Sequence, residues 1–195
     1  MKTKYILVGG YVAKAKDGGK AFCEELTDGF EKPVKILDCI FARPVENWGV
    51  TFEKDKVFFR HNLPERKFKL VLANLDEFIE QVKWANVIYI KGGKTEPLLN
   101  ELREQIGWEK ELDNKTVSGS SAGAHAIAKY YYSLDKEGVI KGGLGLLPIK
   151  VVVHYRSDYN APNIDWDNAD AVLEDYKKDL EVVKLREGEF KIFKK

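Results

Sequence analysis

The chain has only two cysteines, one methionine and three histidines in 195 residues, and its charges nearly cancel, at +1. Each scarcity excludes something. Cys23 and Cys39 have neither metal-ligand spacing nor the density of a disulfide scaffold, so they read as reduced core thiols in a reducing compartment, and no metal or cofactor is expected. With no basic run or one-sided patch, the chain lacks what nucleic acid or a membrane surface would need, and a small molecule or peptide is the better default. Long apolar runs are missing too. The opening MKTKYILVGGYVAKAK holds a lysine-flanked stretch too short for a signal-peptide core or a membrane span; it reads as a first strand, and the expected location is cytoplasmic. Repeats, linkers and low-complexity tracts are absent, which predicts one domain over 1–195.

What is present is a globular composition, 44% hydrophobic and 32% charged, with enough length to bury a substantial core. Apolar runs of strand length recur at 5–9, 34–41, 68–73, 87–90 and 149–155, and several lack polar alternation, as strands covered on both faces do. Between them lie amphipathic segments, including GKAFCEELTDGF, VENWGVTFEKDKVFFRHN, LDEFIEQVKWA, TEPLLNELREQIGW and AGAHAIAKYYYSL. The alternation predicts a three-layer α/β/α sandwich around a mostly parallel sheet. The tail LEVVKLREGEFKIF reads as two short strands around the turn Arg186 to Gly188, an edge hairpin.

Glycines cluster where predicted strands end, at Gly9 and Gly10, at Gly92 and Gly93, and at Gly119 and Gly123, on the edge where open α/β sheets bind ligands. The first pair lacks the third glycine of a dinucleotide fingerprint and reads as a tight strand-to-helix turn. The third surrounds a serine: GSSAG at 119–123 fits G-x-S-x-G, a strand, a sharp turn bearing Ser121, and a helix that begins at once. Side chains two residues before and after the serine would clash there, which glycine avoids, and Ala122 is small for the same reason. The helix start aims unpaired N–H groups at the hydroxyl. A structural turn or a phosphate-holding helix start is the competing reading.

A serine needs a base. His61 sits before the breaker Pro64 and reads as a solvated helix end, and His125 lies one helical turn beyond Ser121, where packing is the expected role. His154 ends the run IKVVVHY at the carboxyl edge of a buried strand and is the candidate base. For the acid that would orient the imidazole, the segment between Ser121 and His154 offers Asp135 and Glu137. The order serine, acid, histidine is that of the α/β-hydrolases, but the gap is too short for that fold's intervening elements, so another α/β scaffold is required. Gly93, then Gly92, is the candidate second oxyanion donor beside Ala122, with Thr95 as N-cap of the helix that follows. Lys94 and Arg156, close in sequence to the glycines and the base, are candidate cations for an acidic substrate group.

The stretches YIKGGKTEPLLNELR, SGSSAGAHA and GGLGLLPIKVVVHY resemble the dipeptidase E and cyanophycinase family of serine peptidases, over nearly the whole chain. The resemblance implies a class I glutamine amidotransferase-like (flavodoxin-like) fold and a hydrolase of short peptides. Ser121 would be nucleophile, His154 base, and Gly93 with Ala122 oxyanion donors. The spacing of the acid in dipeptidase E points to Asp135, with Glu137 the alternative, and an aspartate at the substrate's N-terminus is the implied preference. Lys94 replaces an amide common in the family. A homodimer stays open, as do a non-peptidase amidase or esterase on the same scaffold and a silent binding protein.

Overall fold

The structure, a computed structural model, describes residues 2–135, 138–158 and 160–195. Among the described residues ten strands and six α-helices follow one another in the alternating order expected from the sequence. They are β1 (Lys4–Val8), α1 (Lys20–Thr27), β2 (Val34–Cys39), α2 (Trp48–Asn62), β3 (Phe68–Leu72), α3 (Phe78–Trp84), β4 (Val87–Ile90), α4 (Thr95–Glu104), β5 (Thr116–Ser120) and α5 (Ala122–Ile127), then β6 (Ala128–Tyr132), β7 (Ile140–Gly142), β8 (Leu147–Val152), α6 (Trp166–Asp175), β9 (Glu181–Lys184) and β10 (Phe190–Lys194).

The main sheet has strand order β10-β1-β5-β4-β2-β3 and is parallel except for β10, which runs antiparallel to β1. Its central strands are apolar on both faces because both are covered. Ile6, Val8, Ile36 and Val87 pack with Phe22, Leu26 and Phe59 of α1 and α2. The alternate residues Leu7, Leu37, Ile88 and Val117 pack with Phe78, Val82, Leu98 and Leu102 of α3 and α4 on the other side. The three layers and the mostly parallel arrangement agree with the sequence. A second sheet, β7-β6-β8-β9, continues the fold, and α6 covers it through Ala169 and Leu173.

Two expectations are corrected. The segment read as one helix from Ala122 to the tyrosines turns extended at Ala128, and Tyr130 to Tyr132 pair with β7 and β8. The alanine run favours helix, but aromatic residues fit a pleated, half-buried surface better, and pairing decides. The terminal strands also exist, yet they do not form a hairpin. β9 pairs with β8 and β10 with β1, in different sheets. The turn between them crosses the end of β1, with Gly188 N–H donating to Gly10 O at 2.8 Å and Gly9 N–H to Glu189 O at 3.0 Å. Gly9 has no room for a side chain there, since a Cβ would lie 2.1 Å from Arg186 O.

Candidate active site

In the main sheet β5 lies between β1 and β4, so the turn after β5 has the turns after those two strands as neighbours. That order brings all three glycine pairs to one place. Ser121 follows β5 with φ 52° and ψ −110°, a conformation that costs roughly 1–3 kcal/mol in a non-glycine residue. Hydrogen bonds hold it: Ser121 N–H donates to Val8 O at 3.0 Å, and His125 N–H donates to Ser121 O at 3.1 Å. The flanking glycines are required by close approach. A Cβ at Gly119 would lie 2.3 Å from the Gly123 backbone, and one at Gly123 2.2 Å from Ile90 O.

His154 stands just past β8, and its N–H donates to Gly9 O at 3.0 Å. Its Nε2 is 3.0 Å from Ser121 Oγ. The ring fits because Gly10 is beneath it, where a Cβ would sit 2.2 Å from Cε1. Gly9 and Gly10 are therefore more than a tight turn: one clears the crossing chain and the other clears the imidazole. Burial lowers the His154 pKa below its usual value, Glu187 opposes that shift, and Lys14 adds to it. The imidazole is consequently neutral, with an acceptor nitrogen, at physiological pH.

The carboxylate at the other ring nitrogen is Glu187, with Oε1 3.4 Å from His154 Nδ1, an ion-pair distance longer than a formed hydrogen bond. It sits in the turn that crosses β1. Ser157 Oγ donates to Glu187 Oε1 at 2.7 Å, Asn160 Nδ2 donates to the same oxygen, and Lys14 Nζ donates to Oε2 at 3.3 Å. Burial works to raise the Glu187 pKa, but these hydrogen bonds outweigh it and hold the carboxyl below the usual range. Asp135 lies elsewhere: it is exposed in the segment after β6, among the charged neighbours of Tyr131 and Lys141. Glu137 falls outside the described residues.

Gly92 and Gly93 follow β4 and line the same cavity as Ser121 and His154, about 470 Å³ in volume. Gly92 faces the serine so closely that a Cβ would be 3.0 Å from Ser121 Cβ. Ala122 opens α5 directly behind Ser121 and is buried. Thr95 does not cap α4. Lys94 occupies the N-cap position, and Thr95 Oγ1 meets His125 Nδ1 at 3.0 Å instead. His125 is a packing residue, stacked on Tyr131 with ring centroids 4.4 Å apart, and burial depresses its pKa to about 3. His61 is exposed in the last turn of α2.

Neither sequence-chosen cation lines the cavity. Arg156 points to Asp167 and Asp170, 3.6 and 3.9 Å away, and Lys94 is exposed beside the N-terminus of α4. The cations that do line it are Arg43, Lys54 and Lys91. Arg43 Nε donates to Gly92 O at 3.1 Å, and Lys91 pairs with Asp55 at 2.6 Å. These three come from the end of β2, from α2 and from the end of β4, so only the sheet order makes them neighbours.

Comparison with known proteins identifies the family and the fold. The model of peptidase family S51 matches residues 46–193. Two solved structures share the fold. A peptidase from an acI-B1 Actinobacterium has 21% sequence identity and a TM-score of 0.66, the match covering 99% of this chain and 84% of that one. A putative peptidase E protein from Listeria monocytogenes EGD-e has 15% identity and a TM-score of 0.65, the match covering 100% and 98% respectively. No curated protein matches the chain. No helix among the described residues is long and apolar enough to cross a membrane.

Proposed function

This chain belongs to peptidase family S51 and is a serine peptidase, and from that premise we propose that it hydrolyses short peptides through Ser121, His154 and Glu187. The observation that carries the reading is the 3.0 Å contact between Ser121 Oγ and His154 Nε2, in a cavity of substrate size. Ser121 Oγ–H donates to Nε2. As Oγ bonds to the scissile carbonyl carbon, its proton passes to Nε2, and the carbonyl electrons move onto oxygen. Backbone N–H groups of Gly93 (or Gly92) and Ala122 receive that oxyanion. Glu187 faces the Nδ1–H edge, which selects the tautomer with Nε2 free and stabilises the imidazolium. The proton then goes to the leaving amine, and water, activated by the same imidazole, releases the acyl group from Ser121.

Glu187 replaces Asp135 in this reading because the acid has to reach Nδ1, and Glu187 is the carboxylate that does so. The substrate preference rests on charge. Arg43 and Lys54 give the cavity a positive wall, which favours an acidic residue at the substrate's N-terminus. The cavity is concave, so dipeptides and short peptides fit and folded chains do not. The test compares hydrolysis of Asp-X, Glu-X, Ala-X and Lys-X dipeptides by the wild type and by Arg43→Ala. Acidic dipeptides should be cleaved fastest, and the substitution should lower their kcat/KM by about tenfold while sparing Ala-X, the size of one lost charge-assisted contact. Equal cleavage of all four would refute the charge argument and leave the serine chemistry untouched.

A further inference from the structure

The turn after β5 divides the cavity. It carries Ser121, with the turn after β1 on one side of it and the ends of β4 and β2 on the other. The two sides differ in character. Arg43 and Lys91 follow β2 and β4 and bring charge, whereas the β1 turn supplies Tyr11, Val12 and Ala13. Phe58 of α2 extends this second wall. It meets Val12 over Gly19, where a Cβ would lie 2.7 Å from Val12 Cγ1 and 2.8 Å from Phe58 Cζ.

Tyr11 is the most exposed aromatic ring of the cavity. It stands edge-on to the imidazole of His154, with centroids 5.9 Å apart and planes at 61°, and Lys14 Nζ lies 4.6 Å from its centroid. The residue is nevertheless 46% exposed. Among the described residues the ring belongs to none of the apolar clusters of the core, so packing of the fold does not account for it. Its backbone is unusual as well. With φ 46° and ψ 53° it is left-handed, a region that a bulky side chain seldom occupies unless its surroundings hold it there, and such outliers gather at ligand sites. Lys14 N–H donates to Tyr11 O at 2.7 Å and closes the short 3-10 turn Val12–Lys14 behind it.

The chemistry gives the cavity a direction. The proton that His154 takes from Ser121 goes to the leaving amine, so the departing residue begins beside Nε2, on the side of Tyr11. The carbonyl oxygen under attack turns the other way, toward Gly92 and Gly93, and carries the acyl residue to the charged side. We propose that Tyr11 is a specificity-determining residue which, with Val12 and Phe58, takes an apolar side chain on the departing residue. The preferred substrates then join an acidic first residue to an apolar second one. Burying that side chain also removes the Tyr11 ring from water, a gain that a glycine in the same place does not bring. The proposal rests on the serine reading above for the direction in which the substrate lies.

The experiment measures kcat/KM for Asp-Leu, Asp-Phe and Asp-Gly with wild type, Tyr11→Phe and Tyr11→Ala. Wild type and Tyr11→Phe should both favour Asp-Leu and Asp-Phe over Asp-Gly by about tenfold, the effect of partly burying one large apolar side chain. Tyr11→Ala should reduce that preference to about threefold or less, leaving Asp-Gly within about twofold of wild type. A wild type without the preference, or a preference intact in Tyr11→Ala, would overturn the proposal. So would an equal loss on all three dipeptides, because a merely structural residue does not tell one departing side chain from another. If Tyr11→Ala does not fold, Tyr11→Gly, which takes a left-handed backbone without strain, replaces it. Titration calorimetry of Asp-Leu and Asp-Gly with Ser121→Ala, which cannot hydrolyse them by this route, keeps the two readings apart. A wild type that hydrolyses none of the dipeptides would strike the serine reading. The ratio of the two dissociation constants, with and without Tyr11→Ala in addition, would still decide the subsite.

Discussion

Glu187 and His154 meet across two sheets: β9 leads from the second sheet into the turn that bears Glu187, and that turn crosses the end of β1 to put the carboxylate 3.4 Å from Nδ1. In the proposed triad the acid therefore follows the histidine in the chain. The pairing also makes the C-terminal strands part of the site, because β10 can pair with β1 only after the turn has crossed it.

Glu187→Gln should lower kcat for dipeptide hydrolysis by about a hundredfold or more, since an amide at Nδ1 permits the wrong tautomer and no longer balances the imidazolium. Asp135→Asn should leave kcat unchanged, because Asp135 is exposed near Tyr131 and Lys141. Steady-state rates of the two variants against wild type are sufficient. A large loss at Asp135 with none at Glu187 would reverse the assignment.

The acid limb of kcat/KM should have its midpoint below about 6.5, the ordinary imidazole value, because burial lowers the His154 pKa and outweighs the opposing Glu187 charge. Removing that charge in Glu187→Gln takes away a raising influence, so the midpoint should move further toward acid. The same lowering makes His154 destabilising at low pH: the unfolded chain binds the proton more readily, and this contribution to stability is lost as pH falls below the unfolded pKa. A pH profile of both proteins checks the sign, and a midpoint above 6.5 would contradict it.

Gly10→Ala should abolish activity and destabilise the protein, because the new Cβ falls 2.2 Å from His154 Cε1 at a backbone φ of 112°. Gly49→Ala is the matched control. It lies in α2, a Cβ there meets nothing within 4 Å, and the substitution should stabilise by about 0.5–1 kcal/mol with normal activity. Thermal melts and dipeptide assays on the pair separate the two effects. An active Gly10→Ala would mean that the imidazole is not seated there during catalysis.

The parallel sheet, the sharp turn at Ser121 and the place of His154 beside it are legible in the sequence because each has a local signature: unbroken apolar runs, a glycine-bracketed serine, a histidine at a strand end. The rest depends on pairing between distant segments. LEVVKLREGEFKIF contains two strands and a turn, as read, but whether they pair with each other or with β8 and β1 is decided by partners far away in sequence. The order serine, acid, histidine points to Asp135 and Glu137, whereas the proposed acid Glu187 lies in a turn that the sequence reads as part of a hairpin. Arg43 and Lys54 lie in no motif, and they become neighbours of Lys91 through the order of β2, β4 and α2. The segment from Ala122 to Tyr132 reads as helix because alanine favours helix locally, while in the fold β8 offers the tyrosines a pairing edge.

Reaction of the wild type with a fluorophosphonate, followed by mass spectrometry of the labelled peptide, tests the central claim most directly. An activated hydroxyl at Ser121 predicts one adduct on Ser121, sharply reduced labelling of His154→Ala and no labelling of Ser121→Ala, with all three proteins folded. No adduct on the folded wild type, or equal labelling of wild type and His154→Ala, would contradict it.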